Sequence, residues 1–219
     1  MSWFKRVMGL EAPAPVGQSL PGAGAAPFAL GAGRMLCLDP YLKKLLNGES
    51  SVVVPDDEKV AAVGRIDLGH GKRLERFYLD NEDYFLQVVM DGPGEDDIED
   101  IILFGYHEVR TVASKAELLR LVGPNAKIGM PYYELEGTEY ARQWGTEDGQ
   151  TELTPMTEQV KSPESAYAIY HNSVLYGRDT GLSNRREFLL FSAEEDEEGN
   201  IELSTAVGVT LQITDISVL

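Results

Sequence analysis

The densest group of side chains that could bind a ligand lies in the stretch MPYYELEGTEYARQW, at residues 130–144. Its aromatic rings and its one arginine could line a small-ligand or catalytic pocket formed by Tyr132, Tyr133, Tyr140, Arg142 and Trp144. Aromatic side chains are also favoured in strands and in protein cores. The pattern therefore leaves two alternatives, a binding pocket and core packing, and it favours core packing.

Two acidic turns offer oxygen ligands to a cation or a polyamine. Their leading carboxylates are Glu95, Asp96, Asp97, Glu194, Glu195 and Asp196. The second turn does not match a calcium-binding EF-hand loop, because the position that needs a bidentate glutamate is Thr205. Solvated turns between strands are favoured, and a cation-binding or polyamine-binding acidic domain is kept as an alternative.

No motif identifies a catalytic centre. His70, His107 and His171 lack the i, i+4 spacing of a helical zinc site, and the chain has neither a G-x-S-x-G nor a G-x-G-x-x-G motif. Cys37 is the single cysteine, so no intrachain disulfide can form, and its apolar neighbours predict a buried thiol rather than a nucleophile. We expect no catalytic residue, no metal and no cofactor, and a reducing cytoplasm as the compartment.

The first ten residues, MSWFKRVMGL, contain two aromatics and two bases but no acid. A helical wheel separates an apolar face from a basic one. The side chains that would contact a membrane surface or a partner are Trp3, Phe4, Lys5, Arg6, Val7 and Met8. Such an amphipathic segment suits an anionic membrane or a groove on another protein. A tail that docks on its own domain, or that has no fixed structure, is the alternative.

The charge of the chain divides along its length. Residues 1–34 contain three bases and one acid, a net charge of +2, so the remaining residues contribute −19 to the total of −17. This balance disfavours binding to DNA or RNA, because that binding depends on lysine and arginine displacing counterions from phosphates. We therefore expect no nucleic acid partner.

The order of elements predicts a tail, a linker and a globular domain. Residues 11–34 are rich in Ala, Gly and Pro, a composition typical of a flexible linker. In residues 35–219 two short helices are predicted, YLKKLLN after Asp39-Pro40 and SKAELLRLV with an S-x-x-E capping box. Strand patterns dominate the rest, so we predict an α+β fold, mainly antiparallel β-sheet.

The strand patterns are clearest before residue 110. Strands are predicted at 60–68, 73–80, 84–91 and 101–109, with Gly69-His70-Gly71 as a hairpin turn. Both alternating sets of side chains in 73–80 contain charges, so the pattern does not show which face is buried. Whether the domain consists of two similar β-rich halves, about 35–125 and 126–219, stays open.

This ordered set of features resembles the YjfK-like family of uncharacterised bacterial proteins, a domain of unknown function. The resemblance rests on MSWFKR, LDPYLKKLL, AVGRIDLGHGKRLERFYLDNEDYFLQVV, LFGYHEVRT, VGPNAKIGMPYYELEGTEYARQWG and EFLLFSAEEDEEG. It implies an envelope-stress operon that also encodes a phage-shock-protein-A-like membrane-remodelling protein, a small integral membrane protein and a glutathionylspermidine-synthase-like enzyme. It implies no catalytic residue.

These observations favour a non-enzymatic accessory or adaptor protein linked to bacterial envelope stress. Its amphipathic N-terminus would contact a membrane surface or a membrane-associated protein, with a phage-shock-protein-A-like neighbour as one candidate partner. The expected location is the cytoplasm, peripheral to the inner membrane. The alternatives are the aromatic pocket and the cation-binding acidic domain, and the oligomeric state stays undetermined.

Overall fold

The computed structural model describes residues 26–219. The predicted amphipathic segment 1–10 and residues 11–25 of the predicted linker lie outside this range. The first described residues lie against the rest of the domain, where the Phe28 amide donates a hydrogen bond to Glu95 Oε1 at 2.8 Å. Leu30 is already buried.

Twelve strands account for most of the described chain. They are β1 (Met35–Leu38), β2 (Glu58–Gly69), β3 (Lys72–Leu79), β4 (Tyr84–Asp91), β5 (Ile98–Val112), β6 (Tyr132–Leu135), β7 (Thr138–Arg142), β8 (Thr154–Lys161), β9 (Ala166–Asp179), β10 (Arg186–Asp196), β11 (Ile201–Thr210) and β12 (Ile216–Val218). The α-helices are α1 (Leu42–Leu46) and α2 (Lys115–Val122). Short 3-10 turns lie at Pro27–Ala29, Glu95–Asp97 and Ile213–Asp215.

Eight of these strands form a closed antiparallel barrel. Its order is β2, β3, β4, β5, β11, β10, β9 and β8, and β8 pairs with β2 to close the circle. The closing contact consists of Val63–Ile66 against Glu158–Lys161. β1 lies between β2 and β12, and the β6–β7 hairpin pairs with the end of β9. Strands from before and after residue 125 therefore share one closed sheet.

The predicted α+β fold is wrong: the described residues form an all-β barrel with extra strands. α1 has 5 residues and α2 has 8, too few to build a helical layer over a sheet. The strands are long, with 15 residues in β5 and 14 in β9. A twisted sheet of this size removes its exposed edges by closing on itself.

Both faces of the barrel wall are buried along much of its length. The inner face contributes an aromatic cluster that includes Tyr78, Phe85, Phe104 and Phe188. The outer face packs under residues 26–57 and under the segment that follows β5. The ambiguous alternation in β3 follows from this arrangement, because a strand that is buried on both sides shows no clean apolar face.

Several local predictions are confirmed. α2 begins after Ser114, whose side chain accepts a hydrogen bond from the Glu117 amide, and it ends before Gly123. Gly69-His70-Gly71 connects β2 to β3, and His70 has a φ of 53°.

Cys37, expected in the core, is only partly buried. No helix within residues 26–219 is long and apolar enough to cross a lipid bilayer.

Candidate functional site

The structure distributes the three predicted pocket tyrosines over different environments. Tyr132 is 63% exposed. Tyr133 packs on the ring of Phe191, with the centroids 4.7 Å apart. Tyr140 is buried and donates a hydrogen bond from its hydroxyl to Glu187 Oε1 at 2.5 Å. Burial and the neighbouring Glu187 carboxylate raise the pKa of Tyr140 to about 12.

The other two predicted pocket residues have structural contacts of their own. Arg142 donates hydrogen bonds to the carbonyl oxygens of Gly129, Glu147 and Gly149, which fixes the loop between β7 and β8. Trp144 packs against the inner aromatic cluster of the barrel. A groove of about 220 Å³ is bordered by Tyr140, and its lining does not include the other four residues. Tyr133 and Tyr140 are cross-strand partners in the β6–β7 hairpin, whereas Tyr132, Arg142 and Trp144 have separate surroundings.

Carboxylates of the acidic turns accept backbone amides, either of the turn itself or of Phe28. Glu95 accepts the Phe28 amide, and Asp97 accepts the Gly94 amide at 2.8 Å. Asp96 is exposed and Glu195 is partly buried. Asp196 accepts backbone amides of the turn that joins β10 to β11. Within residues 26–219 no group of three or more His, Cys, Asp or Glu residues is placed to hold a metal ion.

The most unusual chemistry lies inside the barrel, where charged side chains are almost completely buried. We call Arg76, Glu158, His171 and Glu194 the interior charge cluster. They lie on β3, β8, β9 and β10, and each is at most 8% exposed. Ionised side chains are rarely buried to this extent unless they are paired. This cluster is therefore the strongest candidate for a functional site.

Glu158 is the centre of the cluster. Its Oε2 accepts a hydrogen bond from Arg76 Nη1 at 3.0 Å and lies 2.7 Å from His171 Nε2. Its Oε1 accepts the Tyr78 hydroxyl at 2.8 Å. To reach Arg76 and Tyr78 on β3, the carboxylate passes over Gly64 of the intervening β2, and a Cβ at Gly64 would lie 1.6 Å from Oε1.

His171 lies between Glu158 and a second carboxylate, that of Glu194. Its Nδ1 lies 3.0 Å from Ser192 Oγ and 3.9 Å from Glu194 Oε1. Ser204 donates a hydrogen bond to Glu194 Oε1 at 2.7 Å, and Ser173 donates one to Ser192 at 2.8 Å. A continuous series of polar contacts therefore runs across the interior from β3 to β11.

The two carboxylates of the cluster have opposite pKa shifts. Burial raises the pKa of Glu158, but Arg76, His171 and Tyr78 outweigh burial and lower it to about 2. Burial raises the pKa of Glu194, and His171, Ser204 and Arg76 offset only part of that effect. Environments that separate the pKa values of paired acids are typical of functional sites, and structural ion-pair networks produce the same effect.

The cluster brings ionisable side chains into close contact but does not present a nucleophile. Ser192, His171 and Glu158 follow one another at hydrogen-bonding distances, as a nucleophile, base and acid do. Ser192 is 1% exposed, however, and its hydroxyl already accepts a hydrogen bond from Ser173. His171 is the member of the cluster that lines a surface cleft.

Sequence patterns indicate this cluster only in retrospect. Gly64 lies in the middle of the long strand β2, a position that indicates close approach of another group, whereas Arg76 lies in a strand whose two alternating sets of side chains both contain charges. Glu158 is the fifth residue of β8 and has no local feature that distinguishes it from an exposed acid. The contacts between β3, β8 and β9 are needed to find it.

Comparison with known proteins agrees with the resemblance seen in the sequence. The family model described as "Protein of unknown function (DUF2491)" matches residues 3–217. A relative from Escherichia coli (strain K12), described as "Uncharacterized protein YjfK", is 26% identical over 223 residues, which cover 99% of this chain and 98% of the relative. No solved structure shows a significant match to the chain. The chain belongs to the DUF2491 family of proteins of unknown function.

Proposed function

We propose that this protein is a non-enzymatic accessory or adaptor protein whose residues 1–10 contact an anionic membrane surface. Trp3, Phe4, Val7 and Met8 would enter the interface between headgroups and acyl chains. Lys5 and Arg6 would be attracted to anionic headgroups, each by about 1 kcal/mol near the surface. The barrel would remain at the surface, peripheral to the inner membrane, and would be available to other proteins.

The opposite charges of tail and body are the observation on which this proposal rests. Residues 1–34 have a net charge of +2 and the remaining residues −19. A body of that charge is repelled by an anionic membrane. A basic amphipathic tail at the end of an Ala/Gly/Pro-rich stretch allows attachment while the body stays at a distance.

The packed interior of the barrel is consistent with a non-enzymatic role. Its interior is filled by aromatic side chains and by the interior charge cluster, as expected for a barrel of eight strands. A connection to envelope stress is consistent with the family resemblance. A membrane-associated protein, such as a phage-shock-protein-A-like neighbour, is the partner that we would test if lipid alone does not bind.

Co-sedimentation with liposomes tests the proposal. The full chain should pellet with vesicles that contain anionic phospholipid and should stay in the supernatant with neutral phosphatidylcholine vesicles. Replacing both Trp3 and Phe4 with alanine should abolish pelleting. The melting temperature should stay within about 1 °C of the wild-type value, because these residues would lie outside the barrel core.

Tyr41→Ala is the matched control, because Tyr41 is an aromatic residue of the body and is 78% exposed. This variant should pellet like the wild type. If neither the wild type nor the control binds anionic vesicles, membrane contact by the tail is wrong, and residues 1–10 should be used to capture a protein partner. A large fall in melting temperature in the Trp3, Phe4 variant would place the tail in the core.

A further inference from the structure

The barrel wall is incomplete where β2 meets β8. These strands pair through only four residue pairs, from Val63 with Lys161 to Ile66 with Glu158. Beyond Ile66 and Glu158 the two strands separate, although β8 continues to pair with β9 as far as Thr154. A cleft of about 510 Å³ occupies the gap. Its size suits a small organic molecule.

We call this opening between the ends of β2 and β8, bordered by Asp67, Leu68 and Thr154–Thr157, the seam cleft. Its walls combine apolar surface with one acid. Leu68 on β2 is 42% exposed and Tyr170 on β9 is 48% exposed, so both present apolar surface to the cleft. Met156 contributes further apolar surface from β8. The Asp67 carboxylate lies at the edge of the same cleft and accepts a hydrogen bond from the Gly69 amide at 2.8 Å.

The electrostatics of the seam cleft favour a cation. Its lining includes Asp67 but neither lysine nor arginine. The nearby guanidinium groups of Arg65 and Arg73 both pair with Glu75 instead. His171 also lines the cleft, and behind it lie Glu158, whose charge is balanced by Arg76, and Glu194.

The free edge of β8 is better suited to a small ligand than to a peptide strand. On the side that faces β2, Thr154–Thr157 has no partner strand within residues 26–219. Pro155 removes a backbone donor from this edge. Proline at a free edge is one of the means by which proteins prevent pairing with another chain.

We propose that the seam cleft binds an organic ammonium group on an apolar or aromatic body. Asp67 pairs with the ammonium group, and the Tyr170 ring stacks against the cation or the aromatic body. Leu68 and Met156 cover the apolar part. The charge of −19 on residues 35–219 raises the local concentration of such a ligand.

Titration of the full chain with benzylammonium, followed by NMR chemical shifts and calorimetry, tests this site. Binding should saturate. The neutral analogue benzyl alcohol should bind about tenfold more weakly, because it lacks the ion pair and the cation–π contact. Benzoate should not bind, because Asp67 repels it.

Two variants locate the binding to the seam cleft. Asp67→Asn should weaken benzylammonium binding about fivefold, the upper end of what the loss of a solvent-exposed ion pair costs. Thr157→Arg should abolish it, because Thr157 is an exposed residue of the lining and the new charge enters the cleft. Asp96→Asn removes an exposed acid elsewhere and should leave the affinity unchanged.

Absence of saturable binding would overturn the proposal. Equal weakening by Asp67→Asn and Asp96→Asn would also overturn it, because the effect would then be general charge attraction. Benzyl alcohol that binds as tightly as benzylammonium would show an apolar site without cation selectivity. These outcomes do not depend on membrane binding by residues 1–10, so the two proposals can fail separately.

Discussion

At the scale of single residues, Glu158 explains how charges can be buried inside this barrel. Its two oxygens contact a guanidinium, an imidazole and a phenol at 2.7–3.0 Å. Each group therefore has a partner of complementary character, which offsets the cost of removing it from water. The cost returns in full if one partner alone is removed.

This arrangement predicts that Glu158→Gln destabilises the protein by about 3 kcal/mol, because Arg76 would lose its counter-charge inside the barrel. The double variant that also carries Arg76→Met should be more stable than the sum of the single effects predicts. Urea unfolding of the four proteins in a double-mutant cycle measures the coupling. Glu164→Gln, at an exposed turn residue, is the control. Additive single effects would contradict the prediction.

At the scale of elements, β2 has two roles in the site. It closes the barrel by pairing with β8, and through Gly64 it lets the Glu158 carboxylate cross to β3. Because β2 has a glycine at position 64, a side chain of β8 can contact a side chain of β3 across it. β2 stops pairing with β8 at Ile66, and its last residues form one side of the seam cleft.

Gly64→Ala tests the crossing. The new methyl group would overlap Glu158 Oε1, so we expect a loss of about 2 kcal/mol or more in unfolding free energy from overpacking and from displacement of the buried carboxylate. Gly149→Ala is the matched control, because a Cβ at Gly149 meets no atom within 4 Å. Thermal and urea unfolding provide the measurement. Equal stability of the two variants would show that Glu158 does not need to pass over β2.

At the scale of the whole molecule, the closed sheet combines a filled interior with a covered outer face. Residues 26–57 and the segment after β5 pack on the outside of the barrel and bury side chains there. The interior charge cluster links strands β3, β8, β9 and β10. The protonation of this cluster should therefore affect the stability of the entire barrel.

The opposite shifts of the two carboxylates predict the pH dependence of stability. Glu158 has a lowered pKa, so its contribution is present above pH 4.5 and is lost as the pH falls toward 2. Glu194 has a raised pKa, so the folded state loses stability as the pH rises from 4.5 through that raised value.

Glu194→Gln should therefore equal the wild type near pH 4 and should be more stable at pH 7. Urea unfolding between pH 4 and pH 8 measures the difference. A stability difference that shrinks as the pH rises would show that burial does not raise the pKa of Glu194.

The sequence by itself determined the local features of this protein. It placed the strands between residues 60 and 109, the hairpin turn at Gly69-His70-Gly71 and the capped start of α2. These features depend on alternation, on glycine in turns and on a hydrogen bond between Ser114 and Glu117, all of which involve residues close in sequence. It also showed the division of charge at residue 34 and the family resemblance.

Only the tertiary structure decided the fold class and the candidate site. Closure depends on pairing Val63–Ile66 with Glu158–Lys161, and contacts between residues so far apart leave no periodic signal in either segment. The same pairing brings Glu158 to Arg76. The sequence therefore predicted neither the interior charge cluster nor the closed barrel. Strands buried on both faces lose the alternation that identifies a core, and for that reason composition and spacing predicted a sheet but not its closure.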